Sequence, residues 1–135
     1  PLANVLPGLG VKRALIVHGT DGMDEISIGA PTLIHEIADG WERSYEIHPE
    51  DFGITPAAKE AIRGGKPDEN AAVTRGILSG EITDARAAVC LLNAGAAIYI
   101  GGAAPSIADG IATARQTIAD GSALRKLEDF IRISQ

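Results

Sequence analysis

The segment from Asp84 to Ile100 constrains the fold more than any other part of the chain. From Ala85 onward it is apolar around nearly its whole circumference, interrupted by Arg86 and Asn93. At helical spacing such a segment has no polar face to give to water, so other elements must be wrapped around it. It is also too short and too interrupted to cross a bilayer, which takes about 20 apolar residues. We therefore expect a central buried helix. The Asn93 amide needs a hydrogen-bond partner there, since a buried unpaired amide costs about 1–3 kcal/mol. Cys90, the sole cysteine, lies on the same segment. It reads as a small buried hydrophobe and fits a reducing compartment.

Helix signals surround this segment. Asp68 is expected to cap a helix running to about Ser79, with Gly80 as its stop, and Thr83 to cap the apolar helix itself. Gly101-Gly102 ends that helix; Ser106 begins another that closes at Gly121, and Ser122 begins a last one with Leu124, Leu127, Phe130 and Ile131 on one face. Earlier in the chain the period changes. Pro1–Gly10 reads as irregular or weakly helical, and Ala14-Leu15-Ile16-Val17 as a buried, parallel strand. Thr32–Ile37 and Trp41–Ile47 form a hairpin turned by Asp39-Gly40, with Trp41, Arg43, Tyr45 and Ile47 on one face and Glu42, Ser44 and Glu46 on the other. His35 is a polar strand residue. His48–Gly53 is a solvated turn, and Thr55 caps a short helix from Pro56 to about Arg63. The expected class is α/β: a mostly parallel sheet with an antiparallel hairpin and several C-terminal helices. Residues 1–135 form a single partial domain without internal repeats.

The hydrophobic share of 45% and the charged share of 22% lie in the globular range. A net charge of -6 and the lack of a Lys/Arg run speak against nucleic acid as a partner, and no apolar leader or membrane span is evident. The location expected is the cytoplasm. A phosphate-bearing ligand would need a metal cation or local basic groups here.

One stretch carries chemistry. Val17-His18-Gly19-Thr20-Asp21-Gly22-Met23-Asp24-Glu25-Ile26-Ser27 runs from the end of the first strand into a glycine-punctuated acidic loop, and α/β proteins collect ligands beyond the carboxyl ends of their strands. Asp24 and Glu25 offer adjacent hard oxygen donors, and Mg²⁺ typically takes one or two carboxylates plus waters and a substrate phosphate. On residue type alone the pair is either such a site or a solvated turn. No catalytic triad, Cys/His metal cluster or Walker-type loop can be assembled, and Gly8-Leu9-Gly10 is too short for a dinucleotide fingerprint.

Four blocks in order then carry a resemblance: His18–Ser27, Ala30-Pro31-Thr32, Ile47–Gly53 and Leu92-Asn93-Ala94-Gly95-Ala96-Ala97-Ile98-Tyr99. Together they resemble the C-terminal part of the anthranilate phosphoribosyltransferase family over essentially the whole chain. The resemblance implies the α/β domain of a phosphoribosyltransferase related in fold to pyrimidine nucleoside phosphorylases. It implies transfer of the phosphoribosyl group of phosphoribosyl pyrophosphate to anthranilate, with release of pyrophosphate, in tryptophan biosynthesis. It further implies that Asp24 and Glu25 hold Mg²⁺ on the pyrophosphate, and a homodimer as the complete enzyme.

The glycine-rich phosphate loop, the basic residue that helps seat anthranilate and the dimer-forming helices of that family have no match here, and Ala30 stands where glycine is commoner. We therefore expect a segment of the enzyme that is inactive alone, with no catalytic or substrate-binding residue assignable beyond the metal pair. Two alternatives stand beside it: a related phosphoribosyltransferase or nucleoside phosphorylase with another acceptor, and a non-catalytic relative that binds nucleotide or nucleic acid.

Overall fold

A computed structural model of the chain describes residues 5–134. Of the Pro1–Gly10 stretch, residues 1–4 lie outside the described residues. Pro7–Leu9 makes a single 3-10 turn, closed by Gly10 at φ 81°.

The sheet has three strands, β1 (Arg13–Gly19), β2 (Thr32–Ala38) and β3 (Trp41–Ile47), in the order β1-β2-β3. Both pairings are antiparallel, with Arg13 opposite Ala38 and Thr32 opposite Ile47. This corrects the expectation of a mostly parallel sheet. The continuous apolar run Ala14–Val17 suggested a strand buried on both faces; instead the loop of residues 20–31 turns the chain straight back beside β1, and a direct return can only be antiparallel. Ala14–Val17 is half-buried, because β1 is an outer strand with β2 on one side only among the described residues.

The hairpin β2–β3 follows its turn chemistry. Asp39 (φ 45°) and Gly40 (φ 90°) both adopt left-handed conformations, as the favoured two-residue turn requires. The register sets Glu36 across from Arg43, and Ile34 across from Tyr45.

Four helices follow among the described residues: α1 (Pro67–Leu78), α2 (Ala85–Ile100), α3 (Ile107–Ala119) and α4 (Ser122–Ile133). Lys66 rather than Asp68 is the N-cap of α1, with Pro67 at the first turn and Glu69 accepting from the Lys66 amide at 2.8 Å. Asp84 rather than Thr83 caps α2, its carboxylate accepting from the Arg86 amide at 2.9 Å. Ser106 caps α3 as expected, accepting from Asp109 N. The helix expected over Pro56–Arg63 shrinks to a 3-10 turn at Lys59–Ile62. Residues before it stay extended because Ile54 is drawn into the core and Ala57 N donates to Ile28 O.

Helix α2 is the centre of the fold. Leu92 is fully buried, and Val89, Leu92 and Ala96 share one cluster with Ile26, Ile28, Ile34, Ile47, Ile54, Ile107 and Ile111. It crosses α3 at a glycine pair: a Cβ on Gly110 would run into the Gly95 carbonyl, so the two backbones touch. Burial is not complete around α2. Cys90 is exposed, contrary to the buried reading, because residues 62–65 and α1 leave an open groove beside that flank rather than packing onto it. The apolar face of α4 is not buried either, with Phe130 68% exposed. No helix of the described residues is long and apolar enough to cross a membrane.

Candidate functional site

The acidic loop, residues 20–31, leaves the carboxyl end of β1 and returns as β2. Its two feet are fastened. Thr20 donates to Pro31 O through both its amide (2.9 Å) and its hydroxyl (3.0 Å), closing the neck. Gly19 N donates to Met23 O, and Gly22 N to Gly19 O, which folds residues 19–23 into a compact turn with Gly22 at φ 86°. After the acid pair the chain turns inward, and Ile26, Ser27 and Ile28 are all buried. Ser27 N donates to Thr32 Oγ1 at 2.9 Å, and Ile28 O accepts from Ala57.

The three carboxylates of the loop have different fates. Asp21 is engaged through both oxygens: its Oδ1 accepts from Met23 N at 3.3 Å and its Oδ2 from the Ser27 hydroxyl at 2.8 Å. The Ser27 hydrogen bond holds the Asp21 carboxyl below its ordinary pKa, outweighing the opposing effect of burial. Asp24 and Glu25, by contrast, are exposed and accept no hydrogen bond or ion pair from the described residues. Two adjacent carboxylates left unpaired on a braced loop are the donor set that a hard divalent cation takes. No group of three or more His, Cys, Asp or Glu side chains able to hold a metal occurs among the described residues. Water and ligand phosphate would have to complete the shell, as is usual for Mg²⁺.

Asn93 supplies the partner that the sequence required of it, and finds it in this loop: Oδ1 accepts from Ile26 N at 3.0 Å, while Nδ2 donates to Ile26 O and to Val89 O, each at 3.0 Å. One turn away on α2, the Cys90 thiol is pushed up by burial and, secondarily, by the charge of Glu25. A groove of about 530 Å³ opens there, lined by Arg63, Gly64, Gly65, Asn70, Arg86 and Cys90 among others. Arg86 is spent on Asp84 at 2.6 Å, whereas Arg63 is exposed and has no ion-pair partner among the described residues.

Sequence reasoning missed a second polar cluster on the inner face of the sheet. Glu36 is fully buried and accepts from Arg43 Nε (3.1 Å) and Nη2 (2.9 Å), Tyr45 OH (2.9 Å) and Tyr99 OH (2.5 Å). Burial alone would raise its pKa, but the hydrogen bonds from Tyr99, Arg43 and Tyr45 prevail and leave the carboxyl below its ordinary value. Desolvation and the Glu36 hydrogen bond push the Tyr45 phenol well up. The signal was present in the strand alternation, which puts Glu36 on the inward face with Ile34 and opposite Arg43. His35 remains a polar strand residue, bonded to Ser44 Oγ at 2.8 Å and Glu42 Oε2 at 3.1 Å.

The chain is similar to known proteins. A family profile described as "Glycosyl transferase family, a/b domain" matches residues 1–124. Anthranilate phosphoribosyltransferase of Rubrobacter xylanophilus is 49% identical over all 135 residues, and that of Symbiobacterium thermophilum is 50% identical over 128 residues, 95% of this chain. The chain spans only 40% and 37% of these two relatives. Among solved structures, anthranilate phosphoribosyltransferase from Thermus thermophilus superposes with a TM-score of 0.87 at 39% identity, covering 98% of this chain and 38% of its own. The Saccharomyces cerevisiae enzyme in complex with PRPP and Mg gives 0.81 at 26% identity, covering 90% and 35%. The chain belongs to the glycosyl transferase family, through its α/β domain.

Proposed function

We propose that this chain is the metal-binding part of an anthranilate phosphoribosyltransferase, with Asp24 and Glu25 as ligands of the Mg²⁺ that accompanies phosphoribosyl pyrophosphate. The observation that carries the reading is the division of labour in the loop: Asp21 is consumed in bracing, whereas Asp24 and Glu25 are left unpaired at its tip. The names of its relatives, and the yeast complex with PRPP and Mg, supply the substrate and the ion.

Displacement at the anomeric carbon of the ribose gathers positive charge on the sugar and negative charge on the departing pyrophosphate. The bound cation neutralises the latter and orients it. Asp24 and Glu25 are ligands in this scheme and transfer no proton. The turn closed by Gly19 and Asp21, and the burial of Ile26 and Ile28, hold the pair in place before substrate arrives, so that little ordering remains for the reactive complex. Arg63, at the edge of the neighbouring groove, offers a local cation for phosphate oxygens. The negative balance of the chain speaks for a cation-assisted phosphate ligand and against nucleic acid.

On the same proposal the complete enzyme is a cytoplasmic homodimer, and these 135 residues alone turn over no substrate. The test is the Asp24→Asn, Glu25→Gln double variant of the full-length protein, assayed by the loss of anthranilate fluorescence as Mg²⁺ is varied. A large loss of rate with a raised Mg²⁺ requirement is expected, and an unchanged Mg²⁺ dependence refutes the assignment.

A further inference from the structure

Asp24 and Glu25 have no side-chain partner of their own, so the backbone on either side decides where they point. On the upstream side the clamp is local, with Met23 held by Gly19 N through its carbonyl and by Asp21 Oδ1 through its amide. Downstream it is long-range. Asn93, 67 positions away, binds both the N–H and the C=O of Ile26. A side-chain amide that reads both polar groups of one residue acts like a single rung of a strand ladder, fixing both position and rotation of the backbone. Its bond to Ile26 N fixes the Glu25–Ile26 peptide plane itself. The third bond, to Val89 O within α2, locks the amide in orientation before it meets the loop. Because α2 is the centre of the core, the clamp inherits the rigidity of Leu92 and Ala96.

We propose that Asn93 is a positioning residue for the cation site, setting the direction of Asp24 and Glu25 through the backbone of Ile26; the proposal rests on the reading of that pair as Mg²⁺ ligands. Neighbours that orient ligands commonly change metal affinity by about 10–100-fold when removed. The test uses Mn²⁺ as a paramagnetic stand-in, titrated by EPR into the full-length protein without turnover.

In Asn93→Ala the Mn²⁺ dissociation constant should rise about tenfold or more, and the Mg²⁺ concentration for half-maximal rate should rise with it, while kcat recovers when Mg²⁺ is raised. Ile37→Ala, which empties a buried position on β2 outside the cluster that packs Ile26 and Ile28, should lower Tm but leave Mn²⁺ affinity of the folded protein at the wild-type value. Equal affinity in Asn93→Ala and wild type, with affinity lost in Asp24→Asn/Glu25→Gln, overturns the role of Asn93 alone. Unchanged affinity in that acid variant overturns the cation reading and this proposal with it. Hydrogen exchange on the wild type covers the case in which Asn93→Ala does not fold. The Ile26 amide should exchange slowly before metal is added, and exchange as fast as that of Asp24 refutes the preformed clamp.

Discussion

Glu36 offers the sharpest energetic test of the structure. Three donors converge on its Oε2 (Arg43 Nε, Arg43 Nη2 and Tyr45 OH) and one on its Oε1, from Tyr99 OH. Glu36→Gln keeps the shape and keeps one acceptor oxygen, but removes the charge from a side chain with no exposure. Hydrogen bonds to a charged group contribute about 1.5–3 kcal/mol. Losing a buried partner outright can cost about 3–5 kcal/mol, but Arg43 is 56% exposed and can turn its guanidinium back to water. We expect a loss of about 2 kcal/mol at pH 7, and of about 3–5 kcal/mol for Glu36→Ala, which also strands two phenols.

The pH dependence follows from the direction of the shift. The folded carboxyl lies below its ordinary value, so its contribution is complete above the ordinary range near 4.5 and is lost as pH falls through the depressed folded value. Urea unfolding of both proteins at pH 7 and at several values below 4.5 should therefore show a full gap at neutrality that narrows in acid. A gap under about 0.5 kcal/mol at pH 7, within the range of an ordinary surface change, would refute the argument. So would a gap independent of pH.

Gly110→Ala drives a methyl into the Gly95 carbonyl and should cost about 1–3 kcal/mol by urea unfolding, whereas Gly8→Ala, which meets nothing within 4 Å, should be neutral within about 0.5 kcal/mol. Asp24→Asn with Glu25→Gln should leave Tm nearly unchanged, because both side chains are exposed and unpaired; a fall of more than a few degrees by calorimetry would mean that the pair is structural. Cys90 should react with an aromatic disulfide reagent as one thiol per native chain, with its pH–rate curve displaced above that of an ordinary thiol. A requirement for denaturant would contradict its exposure.

Local chemistry makes much of this legible in the sequence. The Asp39-Gly40 turn, the shared face of Arg43 and Tyr45, the cap at Ser106 and the need of Asn93 for a partner all depend on neighbours in sequence or on a single residue's polarity. The failures depend on distant pairing. Ala14–Val17 carries no sign of which strand it will join, and a continuous apolar run suits a parallel strand as well as a half-covered outer one. Pro56–Arg63 has a sound helix start, overridden because Ala57 N is claimed by Ile28 O. Cys90 read as buried because α2 is apolar all round, yet circumference alone does not say which flank receives cover. In the site, the acid pair was visible as residue types, but that Asp21 is spent and its two neighbours are free emerged only from the hydrogen bonds.

The outward strand β1 has a consequence for handling the molecule. The opposite edge, β3, carries Glu42, Arg43 and Glu46, charges that discourage another chain from adding to it. β1 presents Ala14, Leu15, Ile16 and Val17 in an unbroken row, half-exposed, with Arg13 and His18 only at its ends. Among the described residues nothing pairs with its outer edge, so the amides and carbonyls there form a template for strand addition with no gatekeeper in the middle. At high concentration the 135-residue chain should therefore self-associate edge to edge through β1, and a lysine in place of Ile16 should suppress it without disturbing the loop that follows.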